Sequence, residues 1–138
     1  VFEAAHSERI PVAAEKVWAL WEKPKRWPDW NEQLASAELD GPLAVGTRVE
    51  LKLKRGGRMV LHVTELEARA RLVCEAKLIG CTYGHEQALT PSGSGTEVSH
   101  RVYLTGRLSG AFSVMFGRRK MRSWVEGYTA RERELTGK

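Results

Sequence analysis

Residues 48–63 read Arg48-Val49-Glu50-Leu51-Lys52-Leu53-Lys54-Arg55-Gly56-Gly57-Arg58-Met59-Val60-Leu61-His62-Val63. Val49, Leu51 and Leu53 alternate with Arg48, Glu50, Lys52 and Lys54, a period of two that sorts apolar and charged side chains onto opposite faces of a strand. Arg55-Gly56-Gly57-Arg58 breaks the alternation with two glycines, which accept the positive φ of a tight hairpin turn. Met59, Leu61 and Val63 then resume the apolar row. The stretch therefore predicts a hairpin in a sheet with one wet face, and another element must cover the opposite face.

Moving outward, the same period continues. Leu72, Cys74, Ala76 and Leu78 alternate with Val73, Glu75 and Lys77, and Tyr83, His85, Gln87 and Leu89 form the next row. After the loop Thr90-Pro91-Ser92-Gly93-Ser94-Gly95, Val98, His100, Val102 and Leu104 alternate with Glu97, Ser99, Arg101 and Tyr103, ending at Gly106. Toward the N-terminus, residues 2–10 alternate loosely up to Ile10-Pro11, where proline cannot donate to a ladder. Ala14, Val17, Leu20 and Trp21 have helical spacing, and Pro24 ends that helix. Lys25 to Asn31, with Pro28 inside, has room for one helical turn.

The C-terminal segment is helical again. Ala111, Val114, Arg118, Met121, Val125, Tyr128 and Leu135 fall on one stripe by steps of three, four and seven. A helix over 109–134 would be nearly 40 Å long at roughly 1.5 Å per residue. These elements predict an α+β fold. About seven antiparallel strands form a curved sheet wrapped around one long C-terminal helix, with two short helices between strands 1 and 2. No internal repeat or linker divides the chain, so 1–138 reads as one domain. A curved sheet gripping one helix leaves space between them, and that space is the expected ligand site.

With 138 residues, 42% hydrophobic and 28% charged, the chain has the composition of a globular domain and not of a disordered or disulfide-dense one. Cys74 and Cys81 are read as buried free thiols, and no Cys/His spacing suggests a metal site or other cofactor. No run approaches the roughly 18 apolar residues of a membrane span. Val1-Phe2-Glu3-Ala4-Ala5-His6 has no signal-peptide pattern, so a cytoplasmic protein is expected. The absence of an initiator Met leaves open whether residues precede Val1. The net charge of +5 resides wholly in residues 70–138, and Arg101, Arg107, Arg118, Arg119, Lys120 and Arg122 fall in an interval without acids. No nucleic-acid-binding motif accompanies them, so nucleic acid is not an expected partner. Weak contact with an anionic membrane remains open, as does the oligomeric state.

Four segments resemble a known family. Ile10-Pro11-Val12-Ala13-Ala14-Glu15-Lys16-Val17-Trp18 looks like the strand-to-helix opening of the START/polyketide-cyclase superfamily (SRPBCC, the helix-grip fold). Arg26-Trp27-Pro28-Asp29-Trp30-Asn31 is similar to its Trp-Pro-x-Trp-Asn segment. Leu43-Ala44-Val45-Gly46-Thr47-Arg48-Val49 and Gly95-Thr96-Glu97-Val98 resemble two later strand openings. The departure is at the C-terminal helix, where Gly117 and Arg118-Arg119-Lys120-Met121-Arg122 replace the commoner Leu-Lys…Glu-like tail. The resemblance implies a deep apolar pocket for a lipid, polyketide or other hydrophobic molecule. It implies no single reaction and no shared catalytic residues.

Within that frame the expected lining is Trp30, Leu51, Leu61, Cys74, Tyr83, His85, Gln87, His100, Val102, Val114, Arg118, Met121, Val125 and Tyr128. His85 and His100, on neighbouring strands, read as packed polar groups, as pocket lining or as a general acid or base, since imidazole titrates near neutrality. Arg118 reads as a solvated residue or as an anion partner at the mouth. Trp30 reads as core or as pocket wall. Three functions follow from these readings. The first is binding of a hydrophobic or amphipathic small molecule. The second is a cyclase/dehydratase-type enzyme using His85 or His100, and the third a peripheral membrane module using the basic helix.

Overall fold

A computed structural model describes residues 2–137, with the side chains of Met115, Phe116 and Arg118 outside the described residues. Seven strands appear in chain order: β1 (Phe2–Ile10), β2 (Leu34–Leu39), β3 (Arg48–Leu53), β4 (Arg58–Glu67), β5 (Arg71–Leu78), β6 (Cys81–Ser92) and β7 (Gly95–Thr105). They pair antiparallel in the order β1-β7-β6-β5-β4-β3-β2, so β2 to β7 form a meander and β1 closes against its last strand. The hairpin predicted over residues 48–63 is β3–β4, with Leu51 opposite Met59 and Val49 opposite Leu61. Its turn carries Gly56 and Gly57 at φ of 91° and 92°, a region closed to most side chains.

Between β1 and β2 lie α1 (Ala14–Trp21), a 3₁₀ turn (Pro24–Arg26) and α2 (Trp27–Trp30). The tryptophans tie these pieces together through their indole N–H groups. Trp27 Nε1 donates to the carbonyl of Trp21 at 2.8 Å, and Trp30 Nε1 donates to the carbonyl of Leu20 at 3.4 Å. Each ring thus buries its apolar body while its one donor finds a backbone acceptor at the end of α1.

The C-terminal segment departs from the single helix expected over 109–134. It forms α3 (Ser109–Phe116) and α4 (Arg118–Thr136), separated by Gly117 at φ 78° and ψ 129°. That conformation lies outside the helical region and is accessible to glycine. The break resets the phase of the stripe. Met121, Val125 and Tyr128 are buried as expected, but before the break Ser109 and Ser113 are buried, Ala111 is exposed, and Val114 is 84% exposed. Val114 therefore faces solvent, contrary to its expected place on the inward stripe. α4 packs across β1 and β7, and the core runs from Ile10 and Trp21 through Val49, Leu61 and Leu72 to Val102 and Val125.

Candidate functional site

Strand register brings the site residues together. On β6 the inward row is Tyr83, His85, Gln87 and Leu89, and on β7 it is Val98, His100, Val102 and Leu104. His85 lies opposite Val102, and Gln87 opposite His100, so the two imidazoles are diagonal neighbours on one face. On the other side of β6, Cys74 of β5 lies opposite His85. The period of two read from the sequence is thus the reason these polar groups converge beneath α4.

Between this face, α2 and α4 lies a cavity of about 600 Å³. Its wall is mostly apolar: Trp27, Trp30, Leu34, Leu51, Leu53, Met59, Leu61, Cys74 and Trp124. Tyr83, His85, Gln87 and Tyr128 supply polar groups, and Asn31, Glu32, Gln33, Lys54, Arg55, Lys120 and Ser123 also border it. A mainly apolar concavity with a few convergent polar groups is the usual form of a small-molecule site. Lys54 and Arg55 come from the β3–β4 turn and Lys120 from the first turn of α4. All three are exposed, and none has an ion-pair partner among the described residues.

Of the expected lining, Trp30, Leu51, Leu61, Cys74, Tyr83, His85, Gln87 and Tyr128 border the cavity. His100, Val102, Met121 and Val125 are buried behind its wall, and Val114 points into solvent. The Arg118 side chain lies outside the described residues, and Lys120 is the helix cation that borders the cavity. Trp30 serves both of its readings at once, being 1% exposed in the core while presenting a ring to the cavity.

The residue that the sequence reading passed over is Glu132. It is fully buried on α4, one step beyond Tyr128 in the series Met121, Val125, Tyr128, Glu132. Its Oε1 meets His100 Nε2 at 2.7 Å, and its Oε2 accepts from Trp21 Nε1. His100 Nδ1 in turn meets His85 Nε2 at 2.9 Å. A buried carboxylate needs such partners, because desolvation without them is prohibitive. Aromatic rings enclose the pair: His85 stacks on Tyr128 at 5.2 Å, while Trp21 and Trp30 lie 5.5 and 5.4 Å from His100. The signal for Glu132 was its helical spacing, which places an acid on the buried stripe.

Burial sets the protonation of the lining. His85 is held well below the ordinary histidine value, first by desolvation and then by the neighbouring His100. Desolvation pushes the Cys74 thiol up to about 12 and raises both Tyr83 and Tyr128. Near neutrality His85 is therefore an uncharged imidazole, and these thiol and phenol groups keep their protons. Tyr128 OH donates to Gln33 Oε1 at 3.1 Å, linking α4 to the loop beside the mouth. Among the described residues no group of three or more His, Cys, Asp or Glu is arranged to hold a metal ion.

A family model described as polyketide cyclase/dehydrase and lipid transport matches residues 2–135. The chain belongs to this family. Its fold is the START-like helix grip, and cyclisation of polyketides and lipid transport both handle hydrophobic molecules. A Thermus thermophilus protein of known structure superposes with a TM-score of 0.77 at 17% identity, over 98% of this chain and 97% of its own. A START superfamily protein from Mycobacterium smegmatis gives 0.76 at 10% identity, over 98% and 97%. A Mesorhizobium loti protein gives 0.73 at 18% identity, over 97% and 96%. At these identities the likeness is one of fold. No curated protein sequence matches the chain. No described helix is long and apolar enough to cross a membrane.

Proposed function

We propose that this family member binds one amphipathic small molecule, with its apolar body in the cavity between sheet and C-terminal helix and an anionic end at the mouth. The observation that carries this reading is the cavity itself, about 600 Å³ of mainly apolar space bordered by three cations without an ion-pair partner among the described residues. Trp30, Leu51, Met59 and Leu61 supply flat and branched apolar surface, for which burial of the ligand is worth about 25 cal/mol per Å² before the costs of association. Lys54, Arg55 and Lys120 favour a carboxylate or sulfonate at the opening, with an attraction that salt screens. Residues 1–138 are read as one domain built around this site.

The test is a fluorescence titration with anilinonaphthalene sulfonate, an aromatic anion of suitable shape. The expected result is saturable binding at one dye per chain. Affinity should weaken about tenfold in a Lys54→Glu/Lys120→Glu variant, since losing two favourable charges and gaining two unfavourable ones costs on the order of 1–2 kcal/mol at an exposed mouth. Absence of saturable binding would overturn the reading.

A further inference from the structure

The short helix α3 is built inside out. Ser109 and Ser113, one turn apart, are buried, whereas Leu108, Ala111 and Val114, at steps of three along the opposite side, are exposed. Ser113 tolerates burial because its Oγ donates to the carbonyl of Gly110 at 2.7 Å, within the helix itself. Gly110 lets the helix settle on β1, where an added Cβ would lie 3.9 Å from the ring of Phe2. A helix that buries serines and exposes valine forgoes hydrophobic stabilisation in the isolated chain.

The exposed stripe continues onto the turn between β5 and β6. Ile79 of that turn is 86% exposed, and the side chain of Leu108 lies over its neighbour Gly80, where an added Cβ would come 2.8 Å from Leu108 Cδ1. Leu108 N–H donates to the Gly80 carbonyl at 2.8 Å. The turn and the start of α3 are therefore held as one surface. Ile79, Leu108, Ala111 and Val114 form its apolar part, and none of them borders the cavity.

The two segments that build this surface contain no acid. From Ala76 to His85, and again from Val98 to Val125, there is neither Asp nor Glu. Lys77, Arg107, Arg119, Lys120 and Arg122 are exposed there, and none forms an ion pair among the described residues. An exposed apolar patch rimmed by charge of one sign fits a partner that is both oily and anionic. Ile79 and Val114 keep most of their surface accessible, so they project from the molecule instead of lining a groove. A protein partner would need a pocket shaped to receive each of them, whereas acyl chains mould around any projecting aliphatic group. A second copy of this chain would bring like charges face to face.

We propose that this surface docks the protein on an anionic lipid bilayer. Ile79, Leu108 and Val114 enter the boundary between headgroups and acyl chains, and Lys77, Arg107, Arg119 and Arg122 lie against the phosphates. The break at Gly117 makes the arrangement possible. In one continuous helix Val114 would share the inward stripe of Met121 and Val125, and the apolar face would be lost to the core. The contact is peripheral, because no described helix is long and apolar enough to cross the bilayer. It concerns a surface outside the cavity and does not depend on what the cavity holds.

The test is co-sedimentation of the whole protein with vesicles of phosphatidylcholine alone or with about one-third phosphatidylglycerol. Wild type should sediment with the anionic vesicles and stay in solution with the neutral ones. Ile79→Asp/Val114→Asp should weaken that partition about 30-fold, since two aliphatic contacts become two charges that the lipid repels. Arg107→Glu/Arg119→Glu should weaken it about tenfold, and Lys120 is left in place because it borders the cavity. Raising sodium chloride from about 0.05 M to about 0.5 M should weaken the partition of wild type more than that of the arginine variant. Analytical ultracentrifugation without vesicles reads self-association in the same proteins.

Failure of wild type to sediment with anionic vesicles, or equal sedimentation with neutral ones, would overturn the proposal. Undiminished partition of Ile79→Asp/Val114→Asp would also overturn it, because the cations alone would then account for binding. A wild-type dimer that this variant abolishes, without vesicle binding, would reassign the patch to a second copy of the chain. Should the aspartate variant fail to fold, Ile79→Ser/Val114→Ser decides, and partition at wild-type strength counts against insertion. Loss of dye binding with vesicle docking intact would overturn the cavity reading and leave this one standing.

Discussion

Glu132 is the residue on which most of the site's energetics turns. It is fully buried, and both of its oxygens are engaged by donors from distant elements, Trp21 of α1 and His100 of β7. Replacing it with alanine strands both partners in a dry environment, so Glu132→Ala should cost about 3–5 kcal/mol in urea unfolding. Glu132→Gln keeps the shape and should cost less. His85 predicts a pH effect whose sign is fixed by linkage. Its folded-state value is lowered, so below the ordinary histidine value of 6.5 the unfolded chain binds a proton that the folded chain refuses. Stability should therefore fall as pH drops from neutrality through that range, and the slope should be shallower in His85→Gln. The inward positions of Tyr83, His85 and Gln87 were legible because a strand's period of two leaves little choice. Glu132 was not, because an acid at helical spacing is ordinarily read as a solvated residue, and only tertiary contact reveals its two partners.

The elements followed their patterns except at the loop expected over residues 90–95, where Thr90, Pro91 and Ser92 continue β6 in register with β7 and only residues 93–94 turn, and at one residue of the last helix. The hairpin over residues 48–63, the proline that ends β1 and the two helical pieces all stand where periodicity and turn chemistry put them. The continuous C-terminal helix fails because Gly117 sits at φ 78°, and a stripe counted across such a break loses its phase. An added Cβ at Gly117 would meet nothing within 4 Å, so the cost of substitution is purely one of backbone conformation. Gly117→Ala should lower stability by about 1–3 kcal/mol, measured by thermal unfolding. If the two helices instead fused without penalty, helicity would rise with no loss of stability, contrary to this account. The mouth of the cavity was hidden from pattern reading for a related reason. The Lys54–Arg55 turn, Glu32 after α2 and Lys120 on α4 lie far apart in sequence, and no local period brings such positions together.

Across the whole molecule, the positive charge looks different once its partners are known. Arg101 pairs with Glu3 and Glu86, Arg131 with Glu134, and Arg133 with Glu8, so Arg101 and Arg133 set part of the second half's surplus against acids of the first. The cations that matter to the ligand are those at the cavity mouth, which have no ion-pair partner among the described residues, and two of them, Lys54 and Arg55, come from the electrically neutral half of the chain. Raising salt should therefore weaken binding of anilinonaphthalene sulfonate, and the effect should shrink in Lys54→Glu/Lys120→Glu. The central claim is that one small molecule occupies the space between sheet and helix. The most direct measurement is native mass spectrometry of wild-type and Leu51→Trp/Leu61→Trp protein after incubation with anilinonaphthalene sulfonate, since two indoles on the apolar wall take up part of the cavity. The account predicts one dye per wild-type chain and lower occupancy on a folded variant. Equal occupancy of the two proteins, or none on wild type, would contradict it.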